Sequence, residues 1–199
     1  MYAKWHVSKQ LFGVSEARLA VLNRAGGDFF ALCQHSFVSD ILVSAGRLLD
    51  PAKTGKNENL SLERLRDTIA ALGNETLASQ LTDMLQEVQS LESGAREHRN
   101  RRLAHNDLPT ILAESGKLLP SVTVADLDAL LAGLAEILNV VDRHYRGNTT
   151  FFAEPVQRGD GAAVVRCLRD GLAYREEALN QKRAEAGLPL VPTSVPAEI

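Results

Sequence analysis

Apolar residues recur along most of the chain at the three-to-four-residue spacing of an α-helix, and breaks in that spacing divide it into segments. From Ser15, which suits a helix N-cap, Ala17, Leu19, Ala20 and Leu22 predict a short helix ending near Gly26-Gly27. A second helix, from about Asp28, carries Phe29, Phe30, Leu32, Cys33, Phe37, Val38, Ile41, Leu42, Ala45, Leu48 and Leu49, a stripe broad enough to meet more than one neighbour. Asp50-Pro51 ends it, because the residue before a proline is pushed out of the helical region. The polar run 53–59 predicts a loop. Its Thr54-Gly55-Lys56 lacks the glycine-rich lead and the preceding strand of a phosphate-binding loop.

Ser61 caps the next predicted helix, 62–72. After Gly73-Asn74 a long helix begins near Glu75, turns Leu77, Leu81, Met84, Leu85, Val88 and Leu91 toward the core, and can run through Gly94. Residues 109–120 connect it, from proline to proline, to a capping-box start at Thr123 and Asp126. The helix that follows carries Leu127, Leu130, Leu131, Leu134, Ile137, Leu138, Val141 and Tyr145 and stops at Gly147. Residues 148–161 read as an ordered loop or one short strand. Asp160 caps a last helix through Val164, Val165, Leu168, Leu172 and Ala173 toward Lys182, with Gly187 as its stop. Pro189, Pro192 and Pro196 predict an extended or disordered tail over 188–199. The expected architecture is all-α, a bundle of about five or six helices forming one domain over 1–187, with no fixed-period repeat.

Composition narrows the function. A chain of 199 residues with 45 % hydrophobic and 24 % charged residues is globular, and a net charge of -3 excludes a uniformly basic nucleic-acid coat, so any RNA contact must be local. Cys33 and Cys167 sit in apolar patterns and are expected as buried thiols. No His/Cys spacing suits a metal, so neither metal nor cofactor is expected. The N-terminal residues lack a signal peptide's apolar core, and the longest apolar stretch, 129–141, is broken by Glu136 and Asn139. A cytoplasmic protein without a membrane partner is the expectation. His35 and His144 are expected to be structural.

The local patch is 96–107, with four arginines and two histidines in twelve residues. On a helix turning about 100° per residue, His98, Arg101, Arg102 and His105 share roughly one third of the circumference. Arg99 lies about 120° from His105 and roughly 9 Å along the axis, within reach of a long side chain. Which arginine pairs with His105 stays open on this geometry. Cations are also favoured at a helix C-terminus by the backbone dipole, which accounts for two or three arginines but less readily for the His-Asn-Asp that follows Leu103-Ala104.

Arg99-Asn100 followed by Leu103-Ala104-His105 resembles the motif of the HEPN superfamily, in which an arginine, usually followed by a polar residue, precedes a histidine by four to six residues; here five intervene. Asp28-Phe29-Phe30, Gly46-Arg47-Leu48-Leu49-Asp50-Pro51, Asn59-Leu60-Ser61-Leu62 and the Arg99–His105 stretch with Asp107, in that order, resemble the abortive-infection U-type branch over about 14–145. The resemblance implies an up-and-down HEPN-like bundle, a homodimer whose motifs meet across a cleft, and, in catalytic members, metal-independent endoribonuclease activity. By that resemblance His105 is the acid/base, Arg99 the phosphate clamp and Asn100 a polar orienting residue; the local basic patch makes Arg96, His98, Arg101 and Arg102 the expected RNA-binding residues. Antiviral defence or a toxin–antitoxin pair, with an antitoxin protein as partner, is the implied setting. Aromatic content of 5 % leaves open the alternative of a non-catalytic helical dimer that binds a nucleotide or a protein.

Overall fold

The computed structural model describes residues 1–13, 15–98, 122–154, 159–192 and 194–196, with the helical backbone alone for 93–98. Among them are six helices: α1 Tyr2–Phe12, α2 Glu16–Leu49, α3 Leu62–Ala71, α4 Glu75–His98, α5 Val124–Arg146 and α6 Gly161–Glu185. One antiparallel hairpin, β1 Lys53–Thr54 and β2 Asn57–Glu58, is the whole β content of the described residues. The fold is all-α.

Local chemistry sets the boundaries. Ser61 accepts from the Arg64 amide to start α3, and Thr123 and Asp126 form a reciprocal capping box at α5. Asp160 accepts from the Ala163 amide at α6, while Gly147 adopts the left-handed conformation that closes α5, its N–H donating to the Arg143 carbonyl at 3.1 Å. The expected break at Gly26-Gly27 is present: Gly26 leaves helical geometry, and a kink there divides Glu16–Leu49 into two helical segments, labelled together as α2. The predicted loop at 53–59 is the hairpin. Asn59 ties it off, donating its amide to Ala52 O at 2.9 Å and its side-chain NH2 to Pro51 O and Thr54 Oγ1, each at 2.8 Å.

The chain divides into two compact units, Met1–Tyr2 with Ser39–Ala153, and Ala3–Val38 with Glu154–Ile199, so α2 contributes to both. In the first, Ile41, Leu42, Ala45 and Leu49 of α2 are buried, as are Leu62 and Ile69 of α3, Leu77, Leu81, Leu85 and Val88 of α4, and Leu127, Leu130, Leu131, Leu134 and Ile137 of α5. α4 packs on α3 and on α5. Gly133 marks the close approach of α5 to α4: a Cβ there would lie 2.5 Å from Val88 Cγ2. Asn139 is buried because its amide pairs with both backbone groups of Thr150, accepting from the N–H at 2.8 Å and donating to the carbonyl at 3.1 Å. Phe152 of that loop stacks on Tyr2, whose hydroxyl donates to Leu131 O at 2.7 Å. No described residue of 148–160 is in a strand.

The second unit is built on Leu11, Val21, Leu22, Val165 and Leu172. α1, which the periodicity did not mark, enters through Leu11 and Val7. The first residue of α6, Gly161, sits against it, where a Cβ would lie 3.0 Å from Val7 O, and its N–H donates to Gln10 Oε1 at 2.8 Å.

Three packing expectations are corrected. Phe29 and Leu32 of the broad α2 stripe are 63 % and 67 % exposed. Leu91 and Tyr145 point to solvent, whereas Leu138 and Val141 are half-buried. Cys167 is exposed and Cys33 only half-buried, because Cys167 follows Val165 by two residues, about 200° around the helix and away from the core. A window of α2 with mean hydropathy 1.2 has the length and composition of a membrane span; 22 % of it is buried.

Gly133→Ala should cost about 1–3 kcal/mol in urea unfolding, by overpacking against Val88. Combined with Val88→Ala, which removes the clashing methyl groups, it should cost less than the sum of the two single changes, and strict additivity would contradict the contact. Burial pushes the Tyr2 phenol up to about 12 from its ordinary 10.0. The unfolded chain therefore loses that proton first, so the contribution is full below pH 10 and is lost as pH rises toward 12. Tyr2→Phe should lower stability by about 1 kcal/mol at neutral pH and flatten the alkaline limb of a melting-temperature profile.

Candidate functional site

α4 buries Leu77, Leu81, Leu85 and Val88 at spacings of four, four and three. The next position on that face is Glu92, and it is 2 % exposed, whereas Leu91, the residue expected there, is 42 % exposed. A carboxylate at a core position persists only when its charge is answered, and Glu92 is engaged in a polar interaction. The signal was in the register, four residues beyond Val88, but a leucine beside it is the commoner core residue.

One turn beyond Glu92 comes Arg96, and His98 closes the described helix. Arg96 and His98 thus lie on the last turns of α4, and their side chains lie outside what the structure describes. Arg99, Asn100, Arg101, Arg102, His105 and Asp107 lie outside the described residues.

Two of the three upstream segments of the motif order, Gly46–Pro51 and Asn59–Leu62, are brought together. Gly46 is buried at the end of α2, Asp50-Pro51 opens the hairpin, and Asn59 closes it on Pro51 before Ser61 starts α3. Glu63 of α3 accepts from the Ala52 amide at 3.3 Å and from Gln89 of α4 at 3.2 Å, joining hairpin, α3 and α4 through one carboxylate. Arg47 is exposed. These residues therefore fix the helix that leads into the basic stretch.

Two of the remaining candidates, His144 and Thr54-Gly55-Lys56, have structural places. His144 Nε2 lies 2.8 Å from Asn74 Nδ2, which joins the end of α5 to the start of α4. His35, expected to be structural, is exposed. Thr54-Gly55-Lys56 forms the hairpin turn, with Gly55 at φ 59°. Among the described residues no three His, Cys, Asp or Glu side chains group as metal ligands.

An all-helical chain whose central helix leads into Arg99-Asn100 and Leu103-Ala104-His105 is a HEPN protein. Its family is AbiU2, which matches residues 2–163, and the chain belongs to that family. The match takes in α1, which the resemblance over about 14–145 did not reach, and the first residues of α6. No curated protein and no solved structure matches the chain.

Glu92→Gln keeps the side-chain volume and removes the charge. It should lower stability by about 1–3 kcal/mol in urea unfolding, while Glu87→Gln, an exposed carboxylate on the same helix, should stay within about 0.5 kcal/mol. Equal effects would mean that Glu92 carries no special interaction.

Proposed function

We propose that this protein binds and cleaves RNA as a metal-independent endoribonuclease, acting in the cytoplasm as a homodimer in abortive infection or a toxin–antitoxin system, with an antitoxin protein as its partner. The observation that carries the reading is the AbiU2 match across residues 2–163, which spans the whole Arg96–Asp107 stretch. The placement of that stretch after a helix locked on two sides by α3 and α5 supports it, since a clamp and an acid/base need a rigid mount.

The residue types fit the reaction. The His105 imidazole takes the proton from an RNA 2′-hydroxyl near neutral pH. The freed 2′-oxygen bonds to the adjacent phosphorus, the bond from phosphorus to the 5′-oxygen breaks, and the leaving oxygen takes up a proton. A 2′,3′-cyclic phosphate and a 5′-hydroxyl result. Arg99 holds the phosphate bidentately and stabilises the charge that develops on it, and Asn100 orients the pair. Arg96, His98, Arg101 and Arg102 supply the local positive surface that an acidic chain otherwise lacks.

Cleavage of a mixed RNA pool should fall at least a hundredfold in His105→Ala, with RNA binding retained. Arg99→Ala should lose activity as well, and Arg101→Ala with Arg102→Ala should weaken binding and reduce its salt dependence. Equal cleavage by wild type and His105→Ala, both folded, would reject the catalytic reading. Salt-dependent RNA binding in the absence of cleavage would then leave an RNA-binding protein, and the absence of such binding would favour the dimer that binds a nucleotide or a protein.

A further inference from the structure

The described residues after α6, 186–192 and 194–196, are tied back to the protein. Gly187, at φ 69°, reverses the chain, and the Leu188 amide donates to Arg183 O at 2.8 Å. From there three side chains of α6 hold an extended backbone. Arg183 Nε donates to Pro189 O at 2.7 Å. Asn180 takes both groups of Val191, accepting from its N–H at 2.8 Å and donating to its carbonyl at 2.9 Å. Glu176 accepts from the Ser194 amide at 3.3 Å and from its hydroxyl at 2.8 Å, while Arg24 of α2 binds both Glu176 and the Ser194 hydroxyl. Val195 then packs against the Leu11, Val21, Leu22, Val165 and Leu172 cluster.

An amide that pairs with both the N–H and the C=O of one residue reproduces a strand's hydrogen bonding without a sheet, and it reads the backbone irrespective of side chain. Residues 176, 180 and 183 stand one helical turn apart, so they form a ladder along one face. Selectivity comes from the two ends of the ladder that do read side chains. The Glu176 and Arg24 pair takes a hydroxyl, and the apolar cluster takes the aliphatic residue after it. Beside the ladder lies a cavity of about 480 Å³, whose lining includes Arg24, Glu176, Leu179 and Lys182, with room for a side chain of a longer ligand.

We propose that the α6 face from Glu176 to Arg183, with Arg24, is a docking groove for an extended partner peptide carrying a Ser–aliphatic step, and that residues 189–192 and 194–195 occupy it in cis as a competing ligand. Tethered through Gly187, the cis segment acts at an effective concentration of order millimolar, so partner binding is weak until that segment is released. The groove stands on its own hydrogen bonds and does not depend on RNA cleavage.

The test uses the full chain and a fluorescein-labelled peptide with the sequence of residues 188–196. Val191→Pro with Ser194→Ala removes the N–H that donates to Asn180 and the hydroxyl that meets Glu176, and so releases the cis segment. The released chain should bind the peptide at least tenfold more tightly than wild type, and adding Asn180→Ala should abolish the gain. A released chain with the wild-type circular dichroism spectrum that shows no saturable binding, or binding indifferent to Asn180→Ala, overturns the proposal. Should the released chain not fold, hydrogen exchange on wild type decides: saturating peptide should deprotect the Val191 and Ser194 amides, and unchanged protection overturns the proposal.

Discussion

The continuous burial of one face of α4 is the constraint on which the Ser39–Ala153 unit depends. Leu77, Leu81, Leu85 and Val88 can leave water only if helices lie along both sides of that face, and α3 and α5 do so. Each side has its own fitting. On one, the three-residue connection 72–74 holds α3 close to α4, and Glu63 reaches across to Gln89. On the other, Gly133 lets α5 approach until only a hydrogen separates its backbone from Val88. The line ends on a buried carboxylate, Glu92, after which the helix carries Arg96 and His98. A helix fixed in this way along most of its length presents its last turn in one orientation, which a site that clamps a phosphate requires.

Away from the helices the two units rely on the same device. Asn139 holds Thr150, and Asn180 holds Val191, in each case through both backbone groups of the held residue. Backbone outside secondary structure has no ladder to pair its groups, and a side-chain amide supplies a donor and an acceptor at once. In one unit this fixes the loop that carries Phe152 against Tyr2; in the other it fixes the segment that brings Val195 to the core. Asp160 serves similarly at the head of α6, accepting from the Ala163 amide and from Gln10, which together hold its carboxyl below the usual carboxylate range.

Much of this was legible because it is local. Ser61, Thr123 with Asp126, Asp160 and Gly147 act on residues three or four positions away, so the pattern alone placed four helix ends. The losses came from non-local partners. α1 has Trp5, Ser8 and Leu11 on its inner face, and a lone serine among spaced apolar residues does not declare a helix until Gly161 and Val165 pack on it. The segment beyond Gly187 reads as a proline-containing tail because its partners, Glu176 and Arg24, stand 18 and 170 residues away. The α2 stripe was overdrawn for the converse reason: periodicity marks every apolar position, and nothing local says that Phe29 and Leu32 stay exposed among the described residues. For the site, the family was legible from Arg99 through His105 and the segments before it, and the AbiU2 match carries it; the roles of those residues rest on chemistry.

Function therefore turns on the basic stretch and on the reaction assigned to it. The decisive measurement is end-group analysis of RNA incubated with the purified protein in excess chelator. The account predicts fragments ending in a 2′,3′-cyclic phosphate and beginning with a 5′-hydroxyl, produced by wild type and absent with His105→Ala. Fragments with 5′-phosphate ends, or none formed until a divalent cation is restored, would contradict it.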